Sequence, residues 1–302
     1  MFQLYDKQGS IKAVAEDTVA TVGVFDGVHC GHQALIEQLG VWGVEQELKS
    51  LVVTLTSHPS FVLGRRNSEY WLDDPDEHLR LLFDAGAHYV AVLPFTAEVA
   101  KMTACQMARM MYDRLNMRSL LLGYDSRFGS KQNDDFASLP QLAKELGFSY
   151  RHGEPYLIDG QPVSSSRIRE SLLQGNVEAT ATLLGRPYSV SGMVLHGRGV
   201  GHTLGFPTAN IDLSETRKML PKDGVYTVRV GSNVGMANLG PMPTFGIDKP
   251  TLEVHLLDFD GDLYGHKVEV SFIRRLRDIV RFDSSDALQQ QLQKDLETCR
   301  QL

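Results

Sequence analysis

The spacing of apolar residues changes once along this chain of 302 residues, and that change constrains the fold more than any other feature. From residue 19 to about residue 184, short apolar runs alternate with segments whose apolar residues recur at helical spacing. Parallel strands need a crossover between them, so the alternation predicts an α/β doubly wound domain. The predicted strands are residues 19–25, 51–55, 89–93, 119–122 and 148–151.

The second half of the chain has a different pattern. After Gly185, apolar and polar residues alternate one by one, with Gly and Pro between the runs, which predicts a small antiparallel barrel or sandwich. The predicted strands are residues 188–196, 225–230, 234–239, 252–257 and 268–273. A final helix begins near Ser284 or Ser285 and has Ala287, Leu288, Leu292 and Leu296 on one face. We therefore expect two domains, 1–184 and 185–302.

Composition excludes several classes of protein. The longest apolar runs, such as 51–55, are far shorter than the roughly 18 to 20 residues that span a bilayer, so we expect no membrane segment. A formal net charge of −7 argues against a nucleic-acid partner. Asp6 and Lys7 stand where a secretory signal would be apolar, and three scattered cysteines suit a reducing compartment, so we expect a cytoplasmic protein. No pattern specifies an oligomeric state.

The segment GVFDGVHCGH, residues 23–32, follows the first predicted strand and opens a helix. Gly27 and Gly31 let the backbone approach a ligand closely, and the helix amino terminus attracts anions. His29 and His32 lie three residues apart at that terminus, where both imidazoles can face one phosphate. The pattern favours a site that stabilises charge on a transferring phosphate.

Two other interpretations of this segment stay open. His29, Cys30 and His32 are all metal-ligand types, although three ligands within four residues rarely converge in tetrahedral geometry. Alternatively, the glycines only shape a turn and the histidines are incidental.

A second glycine-rich segment, HGRGVGHTLGFPTAN, spans residues 196–210. A flap of this kind can wrap phosphates through its N–H groups, and the side-chain oxygens of Thr208 and Asn210 suit Mg²⁺. The residues expected at this phosphate site are Gly197, Gly199, Gly201, Gly205, Pro207 and Thr208. The open alternative is a mobile barrel loop without a ligand.

Together these motifs resemble those of the bacterial bifunctional riboflavin kinase/FMN adenylyltransferases. The pattern GxFDGxHxGH resembles the HxGH signature of the nucleotidylyltransferase superfamily, and LLGYDSRFG (121–129) and VSSSRIR (163–169) resemble two further segments of the family. GFPTAN is its most specific kinase signature. GRPY (185–188), NLGPMPTF (238–245) and LEVHLLDFDGDLYG (252–265) follow in the family's order.

The resemblance implies a role for each matching residue of the first domain, an HxGH nucleotidylyltransferase domain. His29 and His32 would stabilise the α-phosphate of ATP while FMN attacks it, and Arg169 would hold the triphosphate. The further residues expected to bind ATP and phosphate are Gly23, Phe25, Asp26, Gly31, Ser165 and Ser166. Asp125 and Phe128 are expected to contact the flavin.

For the second domain, the resemblance implies that Glu253 takes the proton from the riboflavin 5′-hydroxyl, with Thr208 and Asn210 holding Mg²⁺. The expected partners are ATP, riboflavin, FMN and FAD. Three positions depart from the family: Ser126 replaces a usual Phe, His202 a usual Arg and Ile279 a common Glu.

Three other functions stay open. One activity alone, such as riboflavin kinase, is the first, and a flavin-binding regulatory protein is the second. The third is a nucleotidylyltransferase for pantetheine phosphate or nicotinamide mononucleotide, which leaves GFPTAN unexplained.

Overall fold

The computed structural model describes residues 2–55, 71–124, 126, 129, 135–196, 205–242 and 247–301. The chain divides into two compact units, Met1–Ser164 and Ser165–Leu302. In this division residues 165–184 group with the second unit, and the domain boundary expected after residue 184 stays a prediction.

A seven-stranded sheet forms the centre of the first unit. Its strands are β1 (Gln3–Asp6), β2 (Gly9–Ile11), β3 (Thr18–Gly23), β4 (Lys49–Leu55), β5 (Tyr89–Leu93), β6 (Met117–Leu122) and β7 (Ser149–His152). The order is β2-β1-β5-β4-β3-β6-β7, and the five strands from β5 to β7 pair in parallel. The predicted parallel sheet is confirmed. The antiparallel strands β1 and β2 were not predicted, nor was a short hairpin of β8 (Leu157–Ile158) and β9 (Gln161–Pro162).

Helices cover both faces of this sheet. They are α1 (Cys30–Glu45), α2 (Pro75–Asp84), α3 (Ala104–Leu115) and α4 (Leu139–Leu146). Val52 of β4 packs in one core cluster with residues of α1 and α2, whereas Leu51 and Val53 pack in another with residues of α3 and α4. The predicted doubly wound arrangement is therefore confirmed. None of the helices in the described ranges is both long enough and apolar enough to cross a membrane.

The strand order places a switch point beside β3. The chain leaves β3 toward β4 and β5, then returns to form β6 on the other side of β3. Ligands of doubly wound folds bind in the crevice outside the carboxyl ends of the strands at such a point. The segments after Gly23 and after Leu122 therefore flank the expected binding crevice of this unit.

The second unit is a closed antiparallel barrel with helices. Its elements are α5 (Ser165–Gln174), α6 (Val177–Leu184), β10 (Tyr188–Leu195), β11 (Ala209–Asp212), β12 (Gly224–Val230), β13 (Asn233–Met242), β14 (Ile247–Leu256), β15 (Lys267–Arg277) and α7 (Ser285–Cys299). The strands close in the order β10-β11-β14-β13-β12-β15. Of the two predicted architectures, the barrel is the one formed. The short strand β11 was not predicted.

Aromatic packing and one buried ion pair stabilise the barrel. Tyr188, Tyr226 and Phe272 are almost completely buried, and the last two rings meet edge to face at 5.2 Å. Asp295 on α7 is 5% exposed, and its two carboxylate oxygens share one hydrogen bond from the Nε–H of Arg277, at 2.9 and 3.2 Å. α7 begins as predicted, because the Ser284 hydroxyl accepts from the Ala287 N–H.

The glycines of α1 provide a matched test of packing between this helix and the sheet. A Cβ at Gly43 would lie 2.8 Å from the Leu48 carbonyl oxygen and 3.0 Å from Val19 Cγ1, whereas a Cβ at Gly40 would meet nothing within 4 Å. We expect Gly43→Ala to destabilise the first unit by about 1–3 kcal/mol through overpacking. Gly40→Ala is expected to stabilise it by about 1 kcal/mol through helix propensity.

Urea unfolding followed by tryptophan fluorescence measures this difference, because both tryptophans, Trp42 and Trp71, belong to the first unit. Equal midpoints for the two variants would contradict the close approach of α1 to β3 and β4.

Candidate functional site

A strained turn joins β3 to α1. Phe25, Gly27 and Val28 have φ angles of +52°, +81° and +36°, and the Val28 N–H donates to the Phe25 carbonyl at 2.8 Å. Left-handed backbone costs a residue other than glycine about 1–3 kcal/mol, so surrounding contacts must hold it. The turn reverses the chain at the carboxyl end of β3 and sets the direction in which α1 begins.

Two residues expected to bind ATP point into the protein from this turn. The Phe25 ring is 3% exposed and lies against Gly23, where a Cβ would come within 3.1 Å of it. Asp26 is 2% exposed, and its Oδ1 accepts from the Leu72 N–H at 2.8 Å. Both side chains hold the turn from inside. Their place in the nucleotide site stays a prediction.

His29 is the N-cap of α1. Its Nδ1 accepts from the His32 N–H at 3.3 Å, so the ring proton of a neutral His29 is on Nε2. The first turn of α1 carries no acidic residue that would offset the positive end of the helix dipole. His29 thus combines an N–H donor with a helix terminus, the arrangement that suits an anionic ligand.

The His32 ring stacks on the His29 ring, with centroids 3.5 Å apart and an angle of 18° between the planes. Phe25 meets the His32 ring edge to face at 5.1 Å. Burial is the main reason that the pKa of His32 is well below its usual 6.5, and the nearby charges of His29 and His78 lower it further. A neutral imidazole at this position can give a hydrogen bond without carrying charge into a buried site.

The stack also bears on the metal interpretation of His29, Cys30 and His32. Lone pairs of imidazoles lie in the ring plane, so two nearly parallel stacked rings direct them along separate planes. In the described ranges, no group of three or more His, Cys, Asp or Glu side chains is arranged to hold a metal ion. Gly31 keeps the turn compact, because a Cβ there would lie 3.2 Å from the His29 ring and 3.3 Å from the Val163 carbonyl oxygen.

The other residues expected at the adenylyltransferase site fall in two places. Ser165, Ser166 and Arg169 lie on α5, which begins at Ser165 and belongs to the second unit. Ser165 and Arg169 are four residues apart and share one helix face. Asp125 and Phe128 lie outside the described residues. Ser126, where the family usually has Phe, donates its N–H to the Gly123 carbonyl at 3.0 Å just after β6.

The barrel aligns three polar residues across neighbouring strands. Glu253 on β14 pairs in register with Asn210 on β11 and with Asn238 on β13. Directly paired residues point to the same side of a sheet, so the carboxylate has an amide side chain on each side. Burial raises the pKa of Glu253 above its usual 4.5, which makes the carboxylate a stronger proton acceptor.

Thr208 and Pro207 lie immediately before β11. The Pro207 carbonyl bonds the Nδ1 of His255 at 2.8 Å, and the Phe206 ring meets the His255 ring edge to face. His255 lies two residues after Glu253 on β14, so the strand that carries the carboxylate also fixes the end of the glycine-rich segment. Gly205 has a φ of +83°, and Gly197, Gly199 and Gly201 lie outside the described residues.

Asn238 and His255 were not among the residues expected at this site. Partial evidence for both residues was present in the sequence, because each lies in a segment that carries the family resemblance: Asn238 in NLGPMPTF and His255 in LEVHLLDF. The pairing of β13 with β14 brings Asn238 beside Glu253, and this register is known only from the structure of the closed barrel.

Two family models match the chain. The model described as FAD synthetase matches residues 11–167, and the one described as riboflavin kinase matches residues 184–302. The first covers the histidine turn and the second covers the barrel.

Similar proteins match over nearly the full length. Bifunctional riboflavin kinase/FMN adenylyltransferases of Haemophilus influenzae and Escherichia coli are each 35% identical, over 95% and 96% of this chain and 94% of theirs. A solved structure from Streptococcus pneumoniae, described as a macrolide-efflux protein, is 31% identical with a TM-score of 0.87 over 96% of both chains. Both matched family models and the identity over almost the whole length lead to one conclusion: this chain belongs to the family of bifunctional riboflavin kinase/FMN adenylyltransferases.

Proposed function

We propose that this chain converts riboflavin to FAD in two ATP-dependent steps, one at each candidate site. The second unit transfers the γ-phosphate of ATP to riboflavin, giving FMN and ADP. The first unit's histidine turn then serves the transfer of AMP from a second ATP to FMN, giving FAD and pyrophosphate. The observation that carries the proposal is that one chain holds both a stacked histidine pair at a helix terminus and a partly buried carboxylate in register with two amides.

In the kinase step, Glu253 accepts the proton of the riboflavin 5′-hydroxyl as that oxygen attacks the γ-phosphate of ATP. The raised pKa suits this role, because the carboxylate must bind a proton in the transition state. Asn210 and Asn238 flank Glu253 on the two neighbouring strands, and His255 holds the backbone next to Thr208. The rigid strands keep these groups in position for the attack.

Magnesium is the proposed cofactor of the kinase step. The hydroxyl of Thr208 and the amide oxygen of Asn210 are hard oxygen donors of the type that Mg²⁺ prefers, and neither side chain is fully exposed. When bound, the ion neutralises charge on the ATP phosphates.

In the adenylyl transfer, an FMN phosphate oxygen attacks the α-phosphate of ATP and pyrophosphate leaves. The Nε2–H of His29 and the neutral ring of His32 donate hydrogen bonds to the α-phosphate as its charge is redistributed. Ser165, Ser166 and Arg169 are proposed to hold the leaving pyrophosphate, with two hydroxyls and a guanidinium at a helix start.

The proposed partners are ATP, riboflavin, FMN and FAD, without a nucleic acid, in keeping with the net charge of −7. The proposed location is the cytoplasm, where the three free cysteines would remain reduced.

Chromatographic separation of flavins tests the two-step proposal. The protein is incubated with ATP and Mg²⁺, once with riboflavin and once with FMN. Appearance of FMN and FAD in the first incubation, and of FAD in the second, is expected. FMN accumulating without FAD would reduce the function to riboflavin kinase alone, and retained flavin without turnover would indicate a flavin-binding protein.

His32→Ala is expected to lower kcat for FAD formation from FMN by about 10²–10³-fold, the usual effect of removing one donor from a developing charge. Formation of FMN from riboflavin should stay at the wild-type rate, because the kinase residues belong to the other unit. Both rates are measured on the same preparation. Loss of both activities in a folded variant would contradict the assignment of separate sites.

Glu253→Gln is expected to stop riboflavin phosphorylation while FMN supplied directly is still converted to FAD. Glu297→Gln, which changes an exposed glutamate on α7, is the matched control and should leave both rates unchanged. In the wild type, the kinase rate should fall as pH falls through a pKa above 4.5, since the base acts only when deprotonated. A kinase that keeps its rate in Glu253→Gln would remove Glu253 from this role.

The lowered pKa of His32 predicts a pH dependence of stability. Below about pH 6.5 the unfolded chain binds a proton at this residue that the folded chain does not, so the first unit loses stability as pH falls below that value. His32→Gln should flatten this dependence of the free energy of unfolding, measured by tryptophan fluorescence. His88, whose pKa is also lowered, is present in both proteins and cancels in the comparison. Parallel pH curves would show that His32 is not buried in its neutral form.

A further inference from the structure

The strained turn at residues 25–28 is held by hydrogen bonds exchanged with the segment that opens α2. The Leu72 N–H donates to Asp26 Oδ1 at 2.8 Å, and the Gly27 N–H donates to Asp73 Oδ2 at 3.0 Å. Each segment thus supplies one buried carboxylate and one backbone N–H to the other. Asp73 is only 3% exposed.

Asp73 is the start of a longer chain of partly buried contacts. Its Oδ2 also bonds Nδ1 of His78 at 2.9 Å, and Nε2 of His78 lies 3.0 Å from the Thr54 hydroxyl on β4. That hydroxyl donates to the Val24 carbonyl at 3.1 Å, at the entrance to the turn. The contacts therefore form a loop that leaves the turn at Gly27 and returns to it at Val24.

This loop of contacts lies close to the histidine pair. The charge of His78 is near enough to His32 to lower its pKa, and His29 follows directly after the turn at Val28. Because the turn has left-handed backbone at three of four positions, it relaxes unless both ends are held. Loss of the Gly27 contact would let the turn move and carry the His29 ring with it.

We propose that Asp73 and His78 are positioning residues for adenylyl transfer. They fix the strained turn at residues 25–28, so that His29 and His32 can donate hydrogen bonds to the α-phosphate. Only the expected effect on the rate of FAD formation rests on the proposed function. The structural part of the proposal concerns the turn itself, and no nucleotide is needed to test it. Neither residue belongs to the motifs that carry the family resemblance.

The test compares Asp73→Ala with Asp73→Asn in the full chain. Asparagine keeps an oxygen for the Gly27 N–H and places its amide nitrogen at the Oδ1 position, which has no hydrogen-bond partner among the described residues. Alanine removes the acceptor. Asp76→Ala, which removes an exposed carboxylate from the first turn of α2, is the matched control.

Asp73→Ala is expected to lower kcat for FAD formation from FMN by about 10²-fold, the cost of a displacement near 1 Å. Riboflavin phosphorylation should be unchanged, and tryptophan fluorescence should show the first unit folded at the assay temperature. Asp73→Asn should recover most of the rate, His78→Ala should lose less than Asp73→Ala, and Asp76→Ala should match the wild type. A folded Asp73→Ala variant with wild-type kcat would overturn the proposal, since a residue that contributes stability alone leaves that rate unchanged.

Hydrogen exchange is the second measurement. In Asp73→Ala, peptides covering residues 24–33 should exchange faster than in the wild type, while peptides from β4 and β5 should not change. Unchanged exchange over 24–33 would overturn the proposal. If the wild type makes no FAD, the proposed function fails, and exchange at the turn still decides whether Asp73 holds it.

Discussion

The first unit depends on the pairing of β3 with a parallel strand on each side. With β4 and β6 both bonded to it, β3 has no free edge and its residues from Thr18 to Val22 are buried. Its chain can leave the sheet only at the carboxyl end, and the switch of direction between β4 and β6 opens a crevice there. The histidines are therefore carried to the crevice by a strand that cannot move without breaking two ladders of hydrogen bonds.

Burial shifts the pKa of one side chain at each candidate site, because it disfavours the charged form of that side chain. It lowers the pKa of His32 and raises the pKa of Glu253. The consequence of burial differs between the two sites, because one side chain is a base when charged and the other is a hydrogen-bond donor when neutral. A neutral imidazole is a stable donor to a phosphate, whereas a carboxylate of raised pKa is a stronger base. One physical effect thus shifts two pKa values in opposite directions, each of which suits the role proposed for that side chain.

Much of the fold could be predicted because periodicity reports burial. β5 has the predicted bounds, the other predicted strands differ by a few residues at their ends, and Ser284 caps α7 as expected. β11 was missed because four residues, Ala209–Asp212, are too few to show alternation. Ala287, expected on one face of α7 with Leu288, Leu292 and Leu296, is exposed. The Asp73 and His78 contacts with Gly27 and Thr54 could not be predicted, because they join residues that are 46 and 24 positions apart along the chain. Local sequence patterns predict where helices begin and which face of a strand is buried. Contacts between distant segments are known only once the fold is known.

Closure of the barrel depends on its last strand. β15 pairs with β10 on one side and β12 on the other, and it is 11 residues long. Until residues 267–277 have been synthesised, β10 and β12 each present an unpaired edge, with N–H and C=O groups that another chain can bind. A shortened chain that ends before β15 would therefore be prone to aggregate through these edges. Once β15 is present, its pairing removes both edges at once.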